Sequence, residues 1–136
     1  MTRARLFAGI VAVATGFASM PAVAQCLQGT LVRVGDNQIT TGVIRVRAGS
    51  SCAITHGASL GPMYETVIAR QPQHGVARVE GIHRVVYTPA RNYVGVDRFV
   101  YARRGLDMGN RKVVRMVRVV VVVYPPRRPL TTGNRR

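Results

Sequence analysis

From residue 30 to residue 124 apolar and polar side chains alternate in short runs, each closed by Gly, Pro, Asn or Asp. That period of two is the signature of half-buried strands. "TLVRV" (30–34) runs into the turn signal "GDN" (35–37). "GVIRVRAGSSCAITHG" (42–57) reads as two strands joined at Ala48–Ser50. In the first of them Val43, Arg45 and Arg47 share one side, and Ile44 and Val46 the other. "ETVIARQPQHG" (65–75) offers a strand that stops before Pro72, and "VARVEG" (76–81) with "HRVVYTP" (83–89) reads as a hairpin around Gly81. "DRFVYARRG" (97–105) and "RKVVRMVRVVVVVY" (111–124) are joined by "LDMGN" (106–110). The pattern predicts about seven or eight strands and an all-β sandwich, each strand sending every second side chain into the shared interior. The last strand is apolar on both faces from Val119 to Val123, so it should lie centrally or be covered, since on an edge it invites aggregation.

The first residues follow a different rule. Arg3 and Arg5 precede the uncharged apolar run 6–20, Pro21 breaks it, and "AVA" (22–24) supplies small residues. This layout predicts a cleaved secretory signal, residues 1–24. The run is too short for a comfortable membrane span, which takes about 20 residues, and no later stretch of the mature chain has the length and flanks of one. Removal of the leader leaves 136 − 24 = 112 residues, one domain with a small N-terminal extension (25–41), a sandwich (42–124) and a tail (125–136). Export, to the periplasm or beyond the cell, permits a disulfide. With two cysteines in the chain, Cys26 and Cys52, one pairing is available. Closing that loop stabilises the fold by roughly 3.5 kcal/mol on the chain-entropy account.

The stretch "YTPARNYVGVDRFVY" (87–101) gathers tyrosines, arginines and an aspartate. If a strand begins near Asp97, then Asp97, Phe99 and Tyr101 share one face, while Arg98, Val100 and Ala102 share the other. Pro89 ends the preceding strand, and Asn92 and Gly95 let the connection turn. Tyr93 can fold back over the end of the sandwich, its hydroxyl staying wet or bonding to backbone. Asp97 can accept N–H groups from the loop. The block 71–101, with Pro72, His74, Gly75, Tyr87, Thr88, Pro89, Asn92, Tyr93, Gly95, Asp97, Phe99 and Tyr101, resembles the bacterial immunoglobulin-like and cadherin-like domains of secreted proteins. The resemblance spans about 42–124 and implies a seven-stranded Greek-key sandwich with a non-catalytic role in adhesion or as a spacer. Such domains occur in tandem and can bind calcium between repeats. This chain has no internal repeat and five widely spaced acidic residues, so neither calcium nor any other cofactor is expected.

Charge adds a second theme. The full chain holds 20 Lys plus Arg against 5 Asp plus Glu, and without Arg3 and Arg5 the balance is 18 − 5 = +13. Lys112 is the sole lysine. Such a field attracts anions, although arginine without lysine is also what GC-rich codon usage produces. The tail "YPPRRPLTTGNRR" (124–136) is too poor in apolar residues to order itself, and its Arg127, Arg128, Arg135 and Arg136 form a candidate anion-binding arm. An apolar loop, "HGASLGPMYE" (56–65), offers Leu60, Pro62, Met63 and Tyr64 as a contact surface. Catalysis finds no foothold: His56, His74 and His83 form no His-x-His or His-Glu-x-x-His motif, and no Gly-x-Ser-x-Gly elbow exists. The expected role is therefore a non-catalytic exported module of the cell envelope. Its partner is either a protein or an anionic polymer such as lipopolysaccharide, acidic glycan or nucleic acid.

Overall fold

A computed structural model describes residues 24–25, 27–29, 36–57, 60–126 and 128. Among these residues the chain is all β, without a helix. Two short strands, β1 (Ala24–Gln25) and β2 (Leu27–Gly29), precede seven longer ones. The longer strands are β3 (Ile39–Arg47), β4 (Cys52–Thr55), β5 (Met63–Arg70), β6 (Gly75–Glu80), β7 (Arg84–Pro89), β8 (Gly95–Leu106) and β9 (Lys112–Tyr124). They form a four-stranded sheet, β1-β4-β7-β6, and a five-stranded sheet, β2-β3-β9-β8-β5. The β3–β9 pairing is parallel, from Ile39↔Met116 to Arg47↔Tyr124, and β9 returns antiparallel along β8 from Leu106↔Lys112 to Gly95↔Val123. The valine-rich strand thus lies between two neighbours, where its backbone groups are paired on both sides.

One hydrophobic core is shared by the inner faces of both sheets. Ile44, Val46, Phe99, Tyr101, Val117, Val119, Val121 and Val123 come from the five-stranded sheet, and Cys52, Ile54, Ala77, Val85 and Tyr87 from the other. The alternation dictates this split. In β3 the inward residues are Ile44 and Val46, and in β8 they are Asp97, Phe99 and Tyr101. Burying each valine in the β9 series contributes roughly 1.5–3 kcal/mol relative to exposure. Tyr87 stacks on Phe99 with ring centroids 5.8 Å apart, and Phe99 tilts against Tyr101 at 6.2 Å. Ring contacts thus bridge the two sheets. Gly81 at φ 66° closes the β6–β7 hairpin, and Asn110 at φ 62° closes β8–β9, both left-handed positions that suit these residue types.

Some boundaries differ from the sequence reading. The sandwich begins at Ile39 rather than residue 42. The segment assigned to an N-terminal extension pairs with the sheets, β1 beside β4 and β2 beside β3. The strand predicted at 30–34 lies outside the described residues, as do residues 1–23 of the predicted leader and most of the tail beyond Pro126. The strand expected from residue 65 starts at Met63, because Met63 inserts into the interior, 6% exposed. No helix among the described residues is long and apolar enough to cross a membrane.

Candidate functional site: an arginine-lined cleft beside a buried aspartate

The block 71–101 folds around one carboxylate. Asp97 is 3% exposed on the inner face of β8. Its Oδ1 accepts the backbone N–H of Gln73 (3.0 Å) and of Arg98 (2.9 Å), and its Oδ2 accepts the N–H of His74 (3.0 Å) and the hydroxyl of Tyr87 (2.9 Å). Donors were expected from the 90–95 connection; the two loop donors come instead from the β5–β6 connection. Burial, helped by the bond to Asp97, pushes the Tyr87 hydroxyl far above its ordinary range, so it stays a donor. Gly75 is required beside this bond. A Cβ there would stand 2.5 Å from the Thr88 carbonyl oxygen and 2.8 Å from the Tyr87 hydroxyl. The His74 ring stacks on Tyr93 at 4.2 Å and 5°, and the Tyr93 hydroxyl donates to the Val96 carbonyl at 2.7 Å. Pro72 and Pro89 are buried nearby, Pro89 in register with Gly75. Gly95, at φ 142°, passes under the Tyr93 ring.

The opposite end of the core is polar. Arg103 and Arg115 are direct cross-strand partners, 5% and 4% exposed. Like charges set opposite each other repel, and their surroundings differ. The Arg115 guanidinium pairs with Asp36 (2.6 Å) and donates to the Leu60 carbonyl. Among the described residues Arg103 reaches only His83 Nδ1, at 3.0 Å, and its Nε has no partner there. His56 Nε2 lies 2.5 Å from the Tyr101 hydroxyl. Burial, then the charge of Arg103, lowers His56 to about 4, so the ring is neutral at pH 7. Burial also raises the Tyr101 hydroxyl. Sequence reasoning missed both arginines, although the alternation of β8 and β9 runs straight through them.

The site that stands out for binding is on the outer face of the five-stranded sheet. A cleft of about 180 Å³ is lined by Arg70, Arg98 and Arg118 together with Gln73, Asp97 and the apolar Val96, Phe99 and Val100. Arg98 and Arg118 stand there because the inward parity of β8 and β9 belongs to Phe99 and Val119. Arg70 stands there because of a register shift. Ile68 pairs with Tyr101 but Arg70 pairs with Val100, so the extra residue, Ala69, turns Arg70 from the inner to the outer face. All five acidic residues are otherwise engaged: Asp36 with Arg115, Glu65 with Arg104, Glu80 with Arg78 and Arg84, Asp107 with Arg111, and Asp97 in the bonds above. None pairs with a cleft arginine.

The other sequence candidates are scattered. Leu60 and Tyr64 are exposed, 49% and 56%, but Met63 is buried and leaves the contact surface. Arg115 Nη1 rests on the Met63 sulfur at 3.7 Å. Pro62 is exposed. Of the tail arginines Arg128 is exposed, while Arg127, Arg135 and Arg136 lie outside the described residues. Cys52 is 1% exposed, and no described cysteine is a free thiol. Cys26 lies outside the described residues, one position beyond the end of β1, whose Ala24 pairs with Cys52. No group of three His, Cys, Asp or Glu residues gathers among the described residues. No protein-family model matches the chain, and no curated protein matches it.

Proposed function

We propose that this protein is an exported, non-catalytic immunoglobulin-like module that holds an anionic polymer of the cell envelope on the outer face of its five-stranded sheet. The strand order supports the immunoglobulin-like, Greek-key reading. With β3 to β9 lettered A to G, one sheet runs B-E-D and the other A-G-F-C, the seven-strand immunoglobulin arrangement with its first strand moved beside the last. The predicted leader (1–24) and a Cys26–Cys52 bridge belong to the same reading and support a location outside the cytoplasm. The non-catalytic assignment rests on the histidines. His56 touches Tyr101, His74 stacks on Tyr93 and His83 accepts from Arg103, and among the described residues no serine, threonine or thiol bonds to an imidazole.

One observation carries the choice of partner: three arginines line one cleft, and no Asp or Glu side chain forms an ion pair with any of them, the Asp97 carboxylate beside them being held by four other donors. Polymer binding of this kind works by counterion release and weakens steeply with salt. Titration against lipopolysaccharide or heparin at rising salt tests it, and absence of binding at low salt refutes it. A protein partner is the second reading, favoured by exposed Leu60 and Tyr64. Its binding would resist salt and be lost in Leu60→Asp and Tyr64→Asp.

A further inference from the structure

We infer that the Arg70–Arg98–Arg118 cleft is a discrete site for a tetrahedral oxyanion, a phosphate monoester carried by the partner. The inference rests on the anionic-polymer reading and names the group recognised. Register gives the geometry. Arg70 and Arg118 flank Val100 from the two neighbouring strands, and Arg98 is two residues back along Val100's own strand. At about 4.8 Å between strands and about 6.8 Å per two residues, three arginine positions stand around one apolar residue. Around it the charge is +3 from the arginines and −1 from Asp97. Four donors already bond to the Asp97 carboxylate, so it offers the arginines little. The remaining +2 matches a phosphate monoester, which carries about −1.5 to −2 at pH 7.

Shape selects phosphate over carboxylate. A guanidinium donates two parallel bonds from a planar fork. A carboxylate presents one edge to one fork. A tetrahedral phosphate presents several edges in different planes, which suits donors that come from three separate strands. The cleft, about 180 Å³, has room for the group and several waters at about 30 Å³ each. The bulge is the second sign of a built site. Without it Arg70 would point where Ile68 points, into the core, and bulges recur where a side chain must be re-aimed toward a site.

The test uses the purified chain, with inorganic phosphate, polyphosphate and the carboxylate polymer polygalacturonate as probes. Inorganic phosphate should shift the Nε–Hε resonances of Arg70, Arg98 and Arg118, whereas acetate at equal ionic strength should not. Arg98→Ala and Arg118→Ala should each weaken polyphosphate binding about tenfold, against about twofold for Arg45→Ala on the same face. Arg118→Lys should keep the salt slope but lose the preference for polyphosphate over polygalacturonate. Equal losses for Arg45→Ala and Arg118→Ala, or equal affinity for the two polymers, would overturn the discrete site and leave the polymer reading standing. If neither polymer binds at low salt while inorganic phosphate still shifts the three arginines, the polymer reading fails and the site survives. Absence of any phosphate-induced shift overturns the site.

Discussion

Replacing Asp97 with Asn tests the physical account of the 71–101 block most directly. The substitution preserves shape and removes one acceptor oxygen. Whichever oxygen becomes the amide, two donors now face an NH₂ group: either the Gln73 and Arg98 amides, or the His74 amide and the Tyr87 hydroxyl. Hydrogen bonds to a charged acceptor are each worth about 1.5–3 kcal/mol, and a buried donor left without a partner costs about 1–3 kcal/mol. The site is 3% exposed, so water offers little relief. The expected loss is about 3–5 kcal/mol, a large share of the roughly 5–15 kcal/mol that holds a domain folded. At about 4–8 °C per kcal/mol for a domain of this size, the melting temperature should fall by at least about 12 °C. Urea unfolding is the assay, followed by circular dichroism because the chain has no tryptophan. Tyr87→Phe, which removes one of the four bonds, should cost about 1–2 kcal/mol, and the double mutant should show a coupling of about 1 kcal/mol or more. A loss below about 1 kcal/mol in Asp97→Asn would refute the reasoning, because at least two of the four bonds would then contribute nothing to stability.

Three further outcomes follow from the same geometry. His56 is neutral in the fold down to about pH 4 but protonates near pH 6.5 when unfolded, so the unfolded chain binds more protons between those values. Stability should fall as pH drops through that window, by about 1–2 kcal/mol after discounting for solvent access, and His56→Gln should flatten the slope; parallel slopes would contradict this. Gly75→Ala places a methyl against the Thr88 carbonyl and the Tyr87 hydroxyl and should cost about 2–4 kcal/mol in urea unfolding; a neutral substitution would show that the approach is not tight. Denatured, unreduced protein should show no reactive thiol and both cysteines only after reduction, and two reactive thiols without reductant would remove the proposed Cys26–Cys52 bridge.

The parts of this fold legible in the sequence are those that depend on local parity. The inward set Asp97, Phe99 and Tyr101, the hairpin at Gly81 and the position of Pro89 all follow from alternation and turn chemistry, and the structure has them there. The same parity carries Arg103 and Arg115 inward, against the usual preference of arginine for water; residue type and strand period disagreed, and the period prevailed. Partners across the fold were not legible. The chemistry of Asp97 as an acceptor was readable, but that Gln73 and His74 would be its loop donors depends on how β5–β6 passes over β8. The three-arginine cleft was hidden for the same reason. It needs the registers of β5, β8 and β9 together with a bulge that no local pattern announces. Met63 was misjudged because a methionine beside Gly and Pro reads as loop, whereas its side chain fills a place beneath Arg115.

The parallel alignment of β3 with β9 has a mechanical consequence. The chain enters β3 at one end of the sandwich and leaves β9 at the other, with the whole length of the nine-residue β3 paired in between. Tension between Ile39 and Tyr124 therefore pulls the two strands past each other lengthwise, and the load is divided among all the rungs at once instead of opening them one by one. A fold strung this way yields late and abruptly when pulled from those two points.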